Sequence, residues 1–376
     1  MPGPPPTDVV LIGGGHAHVQ VLHRWITEPP VRTRLTLVVD RARAVYSGMV
    51  PGFAAGDYAL HELEIDAARL ARRAGAHVVL ARAIAVDSAG RRITVEHGPD
   101  VRYDVASLDV GATVRGLDLP GVREHALATR PIRDWVDRLD AQVAAAIERS
   151  SGPLRIVVVG GGAAGVELGF TLPPRVRARG VEPHVTVLSD AREILPGDSP
   201  RAARRIRHEA HGRGITIRTN ARVVAVEPDA VCLDHERVPA DLIVWATGAA
   251  PWPWLAASSL PTDEGGFVGV QPTLLVAGCD DLFAVGDCAS IESAPWVRKA
   301  GVYAVREGPI LDANLRARLA GKPLREYRPQ RRILSLIHLG DRRALASKWG
   351  VVAVGGWVWR WKRMVDRRFV RRYRAS

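Results

Sequence analysis

Gly160, Gly162 and Gly165 stand at the spacing G-x-G-x-x-G directly after the apolar run Arg155-Ile-Val-Val-Val159. In that position the first glycine makes the tight turn and the second lets a pyrophosphate approach the backbone. The third lets a following helix pack closely on the strand, while the N-terminus of that helix offers free N–H groups. Between a strand and a helix the pattern predicts a dinucleotide site; the plain structural alternative is a tight turn that binds nothing. A second cluster, Gly13-Gly14-Gly15, follows Asp8-Val-Val-Leu-Ile12 but carries His18 in the third place. There the helix must sit further from the strand, or the imidazole must point outward. Asp40 closes the next apolar run, Leu35–Val39, and is the carboxylate expected on a ribose hydroxyl. His16 and His18 lie in a first helical turn, where histidine more often packs than reacts.

Two dinucleotide sites in one chain suggest two different dinucleotides. If one is a flavin and the other a nicotinamide, hydride passes from nicotinamide to flavin, and the protein need only align the rings and exclude water. At the place matching Asp40, the second copy has Ser189 followed by Asp190, with Arg192 beyond. Asp190 repels a 2′-phosphate and favours NADH, whereas Ser189 and Arg192 could accommodate NADPH. NADH is expected, with NADPH the alternative.

These residues need positioning elements, and the sequence supplies them twice. A buried-type strand, a glycine turn, a helix and a second strand recur 147 positions on, from Gly13 to Gly160, after the break Ser151-Gly152-Pro153. At 376 residues the chain is long enough for two or three domains. Its 47% hydrophobic and 24% charged content excludes both a disordered and a membrane-spanning chain. Three cysteines, Cys232, Cys279 and Cys288, form neither a disulfide framework nor a four-ligand zinc site, and no metal is expected. Residues 1–6 lack the basic and apolar regions of a signal peptide, and the run Trp349–Trp359, at 11 residues, is too short to span a bilayer. The net charge of +12 falls entirely on Tyr327–Ser376, which hold fourteen Lys and Arg against Asp341 and Asp366. The same stretch carries Trp349, Trp357, Trp359 and Trp361. It has no nucleic-acid-binding motif, so no nucleic acid is expected. Indole rings beside arginines suit an anionic membrane surface. The alternation Trp357-Val-Trp-Arg-Trp equally suits a half-buried strand packed on the body.

Four blocks make the chain resemble the two-dinucleotide-binding flavoproteins of the pyridine nucleotide-disulfide oxidoreductase superfamily, in the branch of type II NADH dehydrogenases and sulfide:quinone reductases. They are Gly13-Gly-Gly15 with Asp40, Gly160-Gly-Gly-Ala-Ala-Gly165-Val-Glu167, Trp245-Ala-Thr-Gly248, and Leu282-Phe-Ala-Val-Gly286-Asp287-Cys-Ala. Three further blocks, Gly14-Gly-His-Ala-His-Val19, Tyr46-Ser47-Gly-Met-Val-Pro51 and Lys299-Ala-Gly-Val-Tyr-Ala304, resemble a subgroup found fused to selenide, water dikinase. The C-terminal Trp357-Val-Trp-Arg-Trp-Lys362 through Asp366-Arg-Arg-Phe369 fits that subgroup too.

The resemblance implies an α/β chain with two Rossmann-like dinucleotide-binding domains, an FAD domain split by an inserted NAD domain, plus a small C-terminal region. The segments expected are 1–120 and 246–325 for FAD, 121–150 as a connection, 151–245 for NAD(P)H, and 326–376 as the basic tail. Asp287 would hydrogen-bond the ribityl chain, Tyr46–Pro51, with Ser47, would lie near the isoalloxazine, and Gly248, Gly286 and Lys299 are further cofactor-binding positions. The strand at Ala83 would offer main-chain contacts to adenine. Glu167 would stand beside the nicotinamide as the catalytic carboxylate; a capping carboxylate in a first helical turn is its alternative.

Against an ordinary quinone site stands Gly301-Val-Tyr-Ala-Val-Arg306, which lacks the two glutamines of type II NADH dehydrogenases. Against a dithiol relay stands the scatter of the cysteines, although Cys288 falls at what reads as a helix start, where its pKa would be lowered. The leading expectation is an enzyme passing electrons from NAD(P)H through FAD to a quinone or similar small acceptor. The alternatives are a flavoenzyme oxidising sulfide or selenide, and a non-catalytic flavin-binding docking protein. The location expected is cytoplasmic, peripheral on the inner membrane face if the tail docks there.

Overall fold

The computed structural model describes residues 5–374. Along the chain, β1 (Thr7–Ile12), α1 (His16–Thr27), β2 (Thr33–Val39), β3 (His77–Leu80) and β4 (Val105–Leu108) come first. Then follow β5 (Leu127–Ala128), α2 (Ile132–Arg149), β6 (Leu154–Val159), α3 (Ala163–Arg177), β7 (Pro183–Leu188), β8 (Thr216–Arg218) and β9 (Leu242–Trp245). The chain closes with β10 (Leu282–Ala284), α4 (Gly301–Leu319), the hairpin strands β11 (Ser335–His338), β12 (Ala344–Lys348) and β13 (Val351–Gly355), and α5 (Gly356–Arg374).

Two five-stranded parallel sheets form, in the orders β10-β4-β1-β2-β3 and β5-β9-β6-β7-β8. In each, the strand before a glycine turn is central, with the next strand on one side and a later strand on the other. The turn therefore lies at the carboxyl edge where the chain reverses, the crevice in which such sheets hold ligands. The apolar runs are continuous because both sheet faces are covered: Val9–Ile12 in the first sheet and Ile156–Val158 in the second are almost fully buried. The second sheet comes wholly from 127–245, and β10 then returns to the first, so one Rossmann-like unit interrupts the other. The repeat extends to register: Gly13 N–H donates to Val38 O and Gly160 N–H to Leu188 O, both at 2.8 Å.

Helices α1 and α4 clamp one face of the first sheet. Gln20 Nε2 donates to Val305 O at 2.8 Å, and Trp25 Nε1 to Asp312 Oδ1 at 2.7 Å. Beyond α4, β11-β12-β13 form an antiparallel sheet. The stretch Trp357–Trp361 is helical, which corrects the reading of a period-two strand. The strand ends at Gly355-Gly356, and from there Val358, Trp359, Lys362, Asp366, Val370 and Tyr373 fall on one buried helical face. That face packs on the first unit, where Phe369 stacks on Tyr46 with ring centroids 4.5 Å apart.

Candidate functional site

The two glycine turns have the same backbone and different surroundings. At the second, Gly160 has φ +131, and a side chain there would meet Ala246 O at 2.2 Å. A Cβ on Gly165 would lie 1.9 Å from Gly160 O, so the close approach of α3 to β6 requires glycine. A Cβ on Gly162 would meet nothing within 4 Å. The helix N-terminus is open there, and the N–H groups of Gly161 and Gly162 have no partner among the described residues.

At the first turn, a residue that sequence reading missed occupies the space. A Cβ on Gly13 would fall 2.3 Å from Asp109 O, and one on Gly15 would fall 2.0 Å from Asp109 Oδ1. Asp109 Oδ2 accepts from the N–H groups of Ala17 and His18 at 2.9 and 3.0 Å, which caps α1, and the amides of Gly14 and Gly15 have no partner among the described residues. Burial pushes the Asp109 carboxyl up to about 7 against those two hydrogen bonds. The signal was present in the repeat, since Leu108-Asp109-Val110-Gly111 is the counterpart of Trp245-Ala246-Thr247-Gly248. His18 follows neither expectation. Its ring is fully buried, with Nδ1–H on Gly13 O at 2.8 Å and Nε2 accepting from Ser107 Oγ at 2.9 Å, a staple between α1 and β4. Burial lowers its pKa to about 4, so it is neutral.

Gly286, Asp287, Ser47 and Lys299 gather beside this turn. A Cβ on Gly286 would lie 2.8 Å from Asp109 Oδ1, and one on Gly301 would lie 2.9 Å from Ser47 Oγ. Glu307 Oε2 accepts from Gly286 N–H at 2.6 Å, and its carboxyl is pushed by burial to about 7. Asp287 pairs with Arg130, a partner unforeseen from sequence, and Lys299 donates to Ala289 O while lying 4.1 Å over the Phe267 ring. His16 is half-buried between Tyr46 and Phe369, and desolvation there lowers its pKa to about 4. The donor set suits a flavin dinucleotide: free glycine amides for phosphates, with Asp287 and Ser47 for a polyol and ring edge.

Glu167 faces the opposite way from a simple cap. Its Oε1 accepts from His338 N–H at 2.7 Å, and burial pushes its carboxyl above the usual range, opposed by Lys362 and His338. Lys362 Nζ donates to Gly48 O at 2.7 Å and to Asp366 Oδ2 at 2.9 Å. Burial works against this ammonium, yet Asp366 and Glu167 outweigh it and keep it charged. A largely buried group of charged side chains therefore links α3, α5 and the Tyr46–Pro51 turn.

The remaining predicted residues lie apart from this centre. Asp40 is exposed just past β2, and Ala83 opens the strand Ala83–Asp87 of a separate antiparallel sheet. Asp190 is exposed past β7, whereas Ser189 is buried beneath Gly161 and takes the N–H of Ala191. Gly248 accepts from Arg115 N–H at 2.8 Å in the strand pair that joins the two units. Cys288 corrects an expectation. It sits in a 3₁₀ turn, Gly286–Cys288, that leads into a strand, and burial pushes its thiol up to about 12. No helix follows to lower it. Among the described residues no group of acids, histidines and cysteines could hold a metal.

The family model for pyridine nucleotide-disulphide oxidoreductase matches residues 7–303. The NADH dehydrogenase-like protein YutJ of Bacillus subtilis is 24% identical over 326 residues, 86% of each chain. Demethylphylloquinone reductase NdbB of Synechocystis is 23% identical over 362 residues, 92% of this chain and 88% of that protein. Among solved structures, NDH2 from Plasmodium falciparum in complex with NADH superposes with a TM-score of 0.80 at 14% identity, covering 97% of this chain and 98% of that one.

Proposed function

The chain belongs to the pyridine nucleotide-disulphide oxidoreductase family, and on that premise we propose that it is an FAD-dependent enzyme that takes hydride from NADH and passes the electrons to a quinone. The observation that carries the reading is the pair of glycine turns, each at the carboxyl edge of its own parallel sheet and each with two amides unpartnered among the described residues. The relatives named as an NADH dehydrogenase-like protein and a demethylphylloquinone reductase support the donor and the acceptor. Within the family, the blocks around His16, Ser47 and Lys299 support kinship with the subgroup fused to selenide, water dikinase.

When bound, the flavin and nicotinamide supply the hydride and electron chemistry. Gly14 and Gly15 would hold the FAD phosphates, Asp40 the ribose, Ala83 the adenine edge, and Asp287 the ribityl chain. Ser47, Gly286 and Lys299 would border the ring, with Gly248 further off in the strand pair that joins the two units. Gly160, Gly162 and Gly165 would shape the site for the nicotinamide dinucleotide. Asp190 is exposed where a ribose would lie, while Ser189 is turned inward, which favours NADH over NADPH. Quinone reduction by NADH takes up one further proton, and the half-buried Glu167 with the buried Lys362 and Asp366 are the groups able to hold it beside the Tyr46–Pro51 turn. The cysteines give a dithiol relay no support, since Cys288 is held as a thiol.

No helix among the described residues is long and apolar enough to cross a membrane. Contact with a membrane instead falls to Trp349, Val351, Trp357, Met364 and Val365, all exposed on the hairpin tip and the outer face of α5. Steady-state turnover of the purified yellow protein, with NADH and NADPH against a panel of quinones, tests the function. The expected result is quinone-dependent oxidation with kcat/KM at least about ten-fold higher for NADH, the scale of one charge repulsion. Oxidation of neither nucleotide with any quinone would refute it.

A further inference from the structure

Three parts of the molecule meet at His338. The end of β11 carries it, and its ring is almost fully buried. Its Nδ1 accepts the N–H of Gly340 at 3.0 Å, which places the ring proton on Nε2. That Nε2–H donates to Asp57 Oδ2 at 2.9 Å. Trp359 Nε1–H, from α5, donates to the same oxygen at 3.0 Å. Burial pushes the Asp57 carboxyl up, but the His338 ring and the Trp359 hydrogen bond, helped by the Arg342 charge, outweigh it and hold the group below the ordinary value, as the carboxylate. Asp57 in turn is anchored to the flavin-side turn, its N–H donating to Gly52 O at 2.8 Å. The main-chain N–H of His338 points the other way and donates to Glu167 Oε1 at 2.7 Å.

The capped Nδ1 means that His338 cannot pass a proton through its ring. Its geometry is that of a strut. We propose that Asp57 and His338, steadied by Trp359, are positioning residues for Glu167: the Asp57–His338 bond fixes the end of β11, and the amide of His338 fixes the carboxyl. Gly340 locks the same corner from the other side, because a Cβ there would lie 2.4 Å from Phe170 O on α3, the helix that carries Glu167. The proposal rests on the reading of Glu167 as a working carboxyl. The charged and titrating groups facing that carboxyl are Lys362 and Asp366 from α5 and His338 from β11.

The test is a double-mutant cycle with one structural readout. Asp57→Asn removes the anion that holds the Nε2–H. Expected are full flavin content and an unchanged KM for NADH, with kcat down about ten-fold, the scale of a displaced catalytic group. The acidic limb of the pH profile should move to higher pH, since Glu167 loses a bond to its ionised form. The His338 amide should lose hydrogen-exchange protection. Glu167→Gln should abolish that limb, and the double variant should be no slower than Glu167→Gln alone. If Asp57→Asn loses flavin, the pair His338→Gln and His338→Leu decides: glutamine can still donate to Asp57 and should keep most of the rate, whereas leucine should not. Single effects that multiply in the double variant, or an amide as protected in Asp57→Asn as in wild type, overturn the strut while leaving Glu167 its role. A Glu167→Gln enzyme with wild-type kcat and pH profile overturns the reading of Glu167 and the proposal with it.

Discussion

Asp109 separates the two glycine turns more sharply than the histidine in the fingerprint does. Its counterpart is Ala246, so one helix N-terminus carries its own carboxylate and the other is open. Burial raises this carboxyl to about 7 in the folded protein. A raised folded value stabilises below the unfolded value of 3.8, and that stability is lost as pH climbs through about 7. Asp109→Asn keeps an oxygen for the amides of Ala17 and His18 but cannot ionise. In urea unfolding of the flavin-free protein, it should match wild type at pH 4 and exceed it at pH 8 by about 2–4 kcal/mol. A residual slope should remain from Glu307, which shifts in the same direction. Equal stability at both pH values would show that Asp109 ionises freely. The sequence did not single out Asp109 because its signal lies in the match of two short blocks, not in a motif of its own. Cys288 misled for a related reason: the Gly286-Asp287 fingerprint reads as a helix start, but the chain turns into a strand there.

Helix α5 shows how an element's two faces divide one composition. The basic, tryptophan-rich tail was legible as special, but the period-two alternation of Trp357–Trp361 read as a strand, and packing on the first unit decided for the helix. Its inner face carries Trp359, Lys362 and Asp366 to the site. Its outer face keeps Trp357, Met364 and Val365 exposed, with Arg360 and Arg368 beside them, and the hairpin adds Trp349 at 68% exposure. Deleting the tail would therefore strip the core and test nothing about lipid. Substitution of the outer face alone is informative. Trp349→Ser with Trp357→Ser should leave flavin content intact and abolish co-sedimentation with anionic liposomes. Wild-type binding should weaken as salt rises, each basic residue near the surface contributing about 1 kcal/mol. Undiminished binding by the double variant, or no binding by wild type, would assign these rings to another contact.

At the scale of the whole molecule, the sequence repeat was a faithful guide. Gly13 and Gly160 were legible as turns because a buried strand must precede each, and both sheets assemble around those strands in the same order. What joins the units was not legible, because it depends on residues far apart in sequence. Arg130 reaches Asp287, and His338 reaches both Asp57 and Glu167. On the proposed function, electrons enter at the second glycine turn and leave from a flavin held at the first. Gly162→Val isolates that route, since a Cβ at Gly162 meets no atom of the described residues within 4 Å, while the branched side chain fills the opening expected to take the pyrophosphate. The deciding measurement is anaerobic stopped-flow mixing with NADH, followed by a quinone, monitored in the flavin band. The wild type should bleach with NADH and regain its colour with the quinone, while Gly162→Val, equally yellow, should stay oxidised. A wild-type flavin that NADH leaves unbleached, or a Gly162→Val enzyme that bleaches at the wild-type rate, would contradict the account.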